Sequence, residues 1–248
     1  MTKIKSISHS LIRAWLEYQR LVGLAIEKKS TGNIHNLRIA TQKLEAAIVL
    51  SKNIVDIRHP RRIVREFRDV RKSVGPVREL QVKLKGLKSS GTKQSHKKKV
   101  LLKRLEIIQE KSSHSLEEIR LRHQEKDIRS IEFKLLCREE KERPGVLRDI
   151  LVDLLIKKRA KLCAELETFS QFKLDELHHL RMKIKRFRYM KEVFNSIAGL
   201  GQDDICELVK VQRNLGVILD SKELDRSEIK KLIKFANQSL TRLVLTSQ

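Results

Sequence analysis

Along the segment LHHLRMKIKRFRYM, Leu177, Leu180, Ile184 and Phe187 recur three and four residues apart, which sets them on one stripe of a helix. His178, Arg181, Lys185 and Arg188 repeat that spacing one residue later, so a cationic row runs beside the apolar stripe. The same period predicts helices over most of the chain. Ile7, Leu11, Trp15, Tyr18 and Val22 share a face between about Ile4 and Glu27, with Gly23 as an interruption and STGN as the end. Asn33 is the expected N-cap of a second helix reaching about Asn53. A third follows Pro60 and stops near Gly75, and a short fourth from Pro76 covers VRELQVKL. KSSGTKQSHKKK has no period and reads as the clearest loop. Helical spacing resumes at Val100, again across Ser115–Cys137, and from Val146 to Phe169. The quoted helix then runs to Ile197, and after a GLGQDD turn another continues through Asn214. A last one is expected from about Arg226 to Leu245.

Breakers are scarce: three prolines (Pro60, Pro76, Pro144) and nine glycines in 248 residues. With much Leu, Ile, Lys, Arg and Glu, this composition predicts an all-α protein. At 40% apolar the chain can bury a core. No long apolar stretch opens the chain and no run is long enough to span a bilayer, so neither a signal peptide nor a membrane span is expected. Cys137, Cys163 and Cys206 are odd in number and far apart, without a CxxC, which points to a reducing, cytoplasmic compartment.

Charge changes the picture more than composition does. There are 55 Lys and Arg against 31 Asp and Glu, a formal charge of +24. Like charges at these spacings repel, and so large an excess predicts a polyanionic partner. Nucleic acid, anionic membrane, phosphorylated protein and inorganic polyphosphate are the candidates. Single strands are usually held by base stacking on aromatic side chains as well as by charge. Here aromatics are 4% of residues, and Phe67, Phe187 and Phe194 occupy stripe positions, so a ligand made of phosphate without bases fits better.

A basic helix row is by itself what an ordinary solvated face looks like. An internal duplication weighs against that reading. NIHNLRIATQKLEAAIVL and ELHHLRMKIKRFRYMKEVF share H-x-x-R. Setting His35 on His178 puts Arg38 on Arg181, Gln42 on Lys185, Lys43 on Arg186 and Leu44 on Phe187. Each copy is followed by a helix ending in glycine, FRDVRKSVG at Gly75 and LVKVQRNLG at Gly216, at nearly equal separation. Two related helical halves follow, about 4–135 and about 144–246, forming one domain over 1–248. The helix after Pro60 adds a second row, Arg58, Arg61 or Arg62, Arg65, Arg68 and Lys72, with Ile57, Val64, Phe67, Val70 and Val74 to its other side. His9, His59, His96, His114 and His123 sit in no motif and read as surface or loop residues, and Lys97, Lys98 and Lys99 as a solvated loop.

The paired H-x-x-R elements, each followed by a glycine-ended helix, resemble the CHAD domain, the conserved histidine α-helical domain, over nearly the whole chain. The resemblance implies two pseudo-symmetric four-helix bundles in one domain and non-catalytic binding of inorganic polyphosphate along a basic surface or pore. Carried over by motif, the binding residues are His35, Arg38, Lys43 and Arg78, then His178, Arg181, Lys185, Arg186 and Arg188; the helical charge row adds Arg61, Arg65, Arg68 and Lys72, and Arg213 is a further cationic candidate. The second copy matches better, because Gln42 and Glu45 stand where the first would carry basic residues. Arginine offers phosphate a bidentate fork and lysine a point charge, and four such groups cover roughly 15 Å of helix.

No catalytic residue, metal site or cofactor is expected. HExxH, H-x₃-H, GxxxxGK[ST] and GxGxxG are absent, as is ExExK, the signature of the CYTH domain often joined to CHAD domains. The rival readings are an RNA- or DNA-binding protein and an accessory subunit of a phosphate-cleaving enzyme. A polyphosphate binder of this kind would sit in the cytoplasm, at polyphosphate granules.

Overall fold

Apolar stripes of helical period dominate the sequence, and the computed structural model describes residues 6–89, 95–120, 124–167, 174–198, 202–220 and 226–242, helical over nearly all of them. The helices are α1 (Ile7–Glu27), α2 (Thr31–Ser51), α3 (Pro60–Ser89), α4 (Ser95–Arg120), α5 (Gln124–Lys141), α6 (Val146–Glu167), α7 (Leu174–Ala198), α8 (Gln202–Asp220) and α9 (Arg226–Arg242). No strand occurs among the described residues, as the all-α expectation requires. The expected helix ends at Ile4, Phe169 and Leu245, residues 90–94 and 199–201, and His123 lie outside the described residues.

The chain packs into two units. One comprises Met1–Ser10, Val49–Asp56 and Lys134–Gln248; the other comprises Leu11–Ile48 and Ile57–Phe133. In the second of these, Leu11, Trp15 and Tyr18 of α1 are buried with Leu37 and Leu44 of α2 and Phe67, Val70 and Val74 of α3. Tyr18 meets the edge of the Phe67 ring at 5.3 Å and donates its hydroxyl to Gln124 at 3.1 Å, which satisfies its polar end inside the core. In the first, α6 packs on α7, α7 on α8, α8 on α9, and α9 back on α6. Leu151, Ile184, Phe194, Leu208, Val211, Leu215 and Leu240 fill that core. The stripe read from LHHLRMKIKRFRYM is entirely inside: Leu177, Leu180, Ile184 and Phe187 are all buried.

Several boundaries differ from expectation, each for a local reason. Gly23 does not interrupt α1, because the buried stripe continues past it to Ala25. Asn33 is not an N-cap. Ser30 fills that place, its Oγ accepting the Asn33 N–H at 3.1 Å, while Asn33 Nδ2 donates to the Leu24 and Lys28 carbonyls and so closes the end of α1. The third and fourth expected helices are one, with Pro76 inside α3. Proline disfavours a helical backbone before it partly by striking the preceding Cβ, and Gly75 has none. The buried run Phe67, Val70, Val74, Val77, Leu80 and Leu84 then carries the helix through. Ile63 is buried in the stripe where Val64 was expected, being four residues before Phe67. Lys97, Lys98 and Lys99 are exposed but helical, because α4 begins at Ser95 and its one face rests on α3. α8 passes through Gly216 to Asp220 instead of ending near Asn214. At Gly145, by contrast, φ is 97°, a left-handed turn that only glycine adopts readily, and its carbonyl accepts from Asp149 at the start of α6.

The start of α1 is held from far away in sequence. It has no acidic residue in its first turn, yet Glu139 of α5 accepts the Ile7 N–H at 2.6 Å, the Ser8 N–H at 3.3 Å and the Ser8 hydroxyl at 2.8 Å. Ser6 Oγ takes the His9 N–H. A carboxylate on free N–H groups at the positive end of a helix is a charge-assisted cap. Glu139→Ala should therefore lower stability by about 1–2 kcal/mol in urea melts, with helix content by far-UV circular dichroism nearly unchanged.

Candidate functional site

The two H-x-x-R motifs lie on α2 and α7, and in each the arginine flanks a buried stripe. Leu37 and Leu44 anchor α2 beside Arg38; Leu180 and Ile184 anchor α7 beside Arg181. Both guanidinium groups are thereby half-buried against the next helix. Arg38 Nη1 donates to the Arg71 carbonyl of α3 at 3.1 Å. Arg181 Nε donates to the Gln212 carbonyl of α8 at 3.3 Å. Each carbonyl stands four residues before the glycine, Gly75 or Gly216, whose N–H is its partner in the helical pattern. A carbonyl oxygen has two lone pairs and can take both donors. Gly216 makes room, since a Cβ there would lie 3.3 Å from Arg181 Nη2, whereas one on Gly75 would lie at an ordinary 3.5 Å from Arg38 Nη1. The paired elements read from the sequence thus have matching contacts.

Around Arg38 the other charges are close-packed. Burial holds its guanidinium below the ordinary arginine range, the cations Arg71 and Arg78 add to this, and Glu79 opposes them. Glu45, buried on α2, pairs with Arg71 and lies 3.5 Å from Arg68. His35 is exposed and Lys43 half-buried on α2. On α3, Arg61, Arg65, Arg68 and Lys72 are all exposed and Arg78 is half-buried. Lys72 has Asp69 at 4.0 Å. Arg62 is drawn off by Asp127, at 2.7 Å from both carboxylate oxygens, which leaves Arg61 as the member of the row; Arg58 precedes the helix.

On α7, His178 and Arg186 are exposed and Lys185 is half-buried, with its ammonium 5.8 Å from the Tyr189 ring centroid. Arg188 is deeper, its side chain 13% exposed, 3.1 Å from Glu192 and lying over the Tyr189 ring at 4.7 Å. Burial raises the Tyr189 phenol above its ordinary range, and the nearby Arg188 opposes that. Arg213 of α8 is exposed. His179 turns away, its Nδ1 2.7 Å from the Asp175 carbonyl.

One cationic cluster escaped the sequence reading. Lys158 of α6 is half-buried, and its ammonium titrates below the ordinary lysine range through burial first and then the cations Lys52, Arg186 and Lys161. Lys158 and Lys161 fall three apart, one face of α6, but only the packing of α6 on α7 brings Lys158 to Arg186. Among the described residues no group of three His, Cys, Asp or Glu is placed to hold a metal ion, and no helix is long and apolar enough to cross a membrane.

Comparison with known proteins gives a consistent picture. The family model described as the CHAD domain matches residues 7–226. The crystal structure of the CHAD domain from the plant Ricinus communis is similar in fold, with a TM-score of 0.65 over 97% of this chain and 87% of that one, at 14% identity. No curated protein matches.

Two outcomes follow from the charges. Glu45→Gln leaves Arg71, whose side chain is 15% exposed, without its carboxylate; the cost in urea melts should be about 3 kcal/mol. Lys158 behaves in the opposite sense. With its pKa depressed by folding, the folded chain binds fewer protons than the unfolded one between that pKa and the ordinary value, so stability rises with pH there and the charged form disfavours the fold below it. Lys158→Gln should raise the thermal midpoint at neutral pH and low salt, and flatten the gain in midpoint as pH rises toward about 10.

Proposed function

The chain belongs to the CHAD domain family, and we propose that it binds inorganic polyphosphate through the cationic groups of α2–α3 and α7–α8, without cleaving it. The observation that carries this reading is the repeated arginine on a helix carbonyl, found in both units and flanked by rows of cations at helical spacing. A charge of +24 supplies long-range attraction. Fixed guanidinium groups supply directional bonds to phosphate oxygens, and the exposed lysines and arginines supply point charges along a flexible chain.

Aromatic placement favours phosphate over nucleic acid. Phe67 of α3 and Phe187, Tyr189 and Phe194 of α7 are buried, as are Trp15 and Tyr18 of α1. They offer no rings on which bases could stack. The setting this reading carries is cytoplasmic, at polyphosphate granules, with any chemistry on the bound polymer left to a separate enzyme.

Titration of the protein with long-chain polyphosphate and with an RNA of matched charge, at one salt concentration, tests the proposal. Polyphosphate should bind more tightly. Equal affinity would mean that only charge is read, and phosphate release in the presence of Mg²⁺ or Mn²⁺ would overturn the absence of catalysis. Removing a contact should flatten the dependence of log K on log salt by roughly one unit, by analogy with nucleic-acid backbones. Lys185→Gln with Arg186→Gln should therefore flatten it by roughly two units, and should weaken binding more than Lys43→Gln with Gln42→Ala, which removes a single cation.

A further inference from the structure

Glycine is a poor helix former, yet Gly75 and Gly216 sit well inside α3 and α8. Neither has positive φ, since Gly145 is the described glycine that does, so turn geometry does not account for them. What both have is a guanidinium lying over the missing Cβ. At Gly216 three atoms of Arg181 approach the place of that Cβ, Nη2 at 3.3 Å, Nε at 3.5 Å and Cζ at 3.6 Å. The Nε among them is the atom bonded to the Gln212 carbonyl. A methyl there would oblige the fork, whose bond to that carbonyl is already 3.3 Å long, to give by a few tenths of an ångström.

We infer that Gly216 is a positioning residue: its bare backbone seats the Arg181 guanidinium on the Gln212 carbonyl and so fixes the fork that meets phosphate. The inference rests on the polyphosphate reading for the ligand but not for the seat. The carbonyl bond uses one of five guanidinium N–H donors, leaving the others to an oxyanion. An arginine held this way loses little freedom on binding, because its rotamer is fixed beforehand. The two seats are graded. The 3.5 Å approach at Gly75 is ordinary contact that a methyl can share, whereas 3.3 Å at Gly216 obliges Arg181 to give way.

A double-mutant cycle decides it. Gly216→Ala, Arg181→Gln and the double variant are titrated with long-chain polyphosphate, and each is melted. Gly216→Ala should weaken binding about tenfold, the equivalent of one good contact, while melting no lower than wild type. It should add no further loss on the Arg181→Gln background, and Gly75→Ala should change affinity little. If Gly216→Ala lowers affinity equally in both backgrounds, the glycine acts on helix packing alone and the inference fails.

A second readout needs no ligand. In ¹⁵N-edited NMR the Arg181 Nε–H signal, assigned by its loss in Arg181→Gln, should exchange slowly with water in the wild type and quickly in Gly216→Ala. Slow exchange lost in Gly216→Ala, in a protein that does not bind polyphosphate, would keep the seat and sink the polyphosphate reading. Tight polyphosphate binding with exchange unaltered by Gly216→Ala would sink the seat and keep that reading.

Discussion

Self-repulsion among cations is the constraint to which the packing of this chain answers. An excess of +24 in 248 residues works against any compact state, and helices intensify it by stacking like charges one turn apart. The fold handles part of the excess with carboxylates brought from other elements. Asp127 takes Arg62, Glu45 takes Arg71 and stands near Arg68, and Glu165 takes Lys183 at 2.8 Å. Elsewhere the charge is left standing. Arg38 and Lys158 are half-buried beside other cations, and both titrate below their ordinary ranges. In those two places folding disfavours the charged side chain, through burial first and neighbouring cations second.

The two copies of the motif resolve the same problem differently. At the position of Glu45 the second copy has Arg188, and at the position of Arg71 it has Gln212. In α2–α3 a buried carboxylate therefore ties two arginines across a pair of helices, and the local charge is partly neutralised within the protein. In α7–α8 the corresponding ion pair is intrahelical, Arg188 with Glu192 one turn on, and the carbonyl that Arg181 uses belongs to an uncharged residue. The invariant part is the arginine, the carbonyl and the glycine. The charges around it are adjustable, which makes the second group the more strongly cationic of the two.

Much of the fold was legible because burial follows period. Every residue of the α1 stripe and of the α7 stripe named from spacing is buried. The failures share a cause, which is that local breaker signals were weighed without knowing what covered them. Gly75-Pro76 reads as a stop, but the glycine removes the clash that would make it one, and a continuous apolar face carries α3 past it. Asn33 reads as the cap of the helix it precedes, whereas its amide serves the carbonyls of the helix before. At the site, spacing located the arginines and glycines separately as repeated elements. It could not show that each arginine rests on its glycine, since that contact joins residues more than thirty apart. The cluster around Lys158 was missed for the same reason: Lys52 and Arg186 come near Lys158 only in the folded chain.

If the proposed polyphosphate reading holds, the same geometry bears on why such a surface would be built on packed helices instead of loops. A lysine on a mobile loop reaches phosphate readily, but its order is lost again with each release, and that entropy opposes affinity. Arg38 and Arg181 are ordered already, by a carbonyl that the helix holds in place and by stripes that fix the helix. Half-burial costs each arginine solvation, and an oxyanion restores it with bonds stronger than neutral ones. On that reading the exposed row residues, Arg61, Arg65 and Lys72 or Arg186 and Arg213, would follow a flexible polymer without having to define its position. A few fixed forks that set register, within a wider field that sets attraction, is an arrangement suited to a ligand whose every repeat is the same.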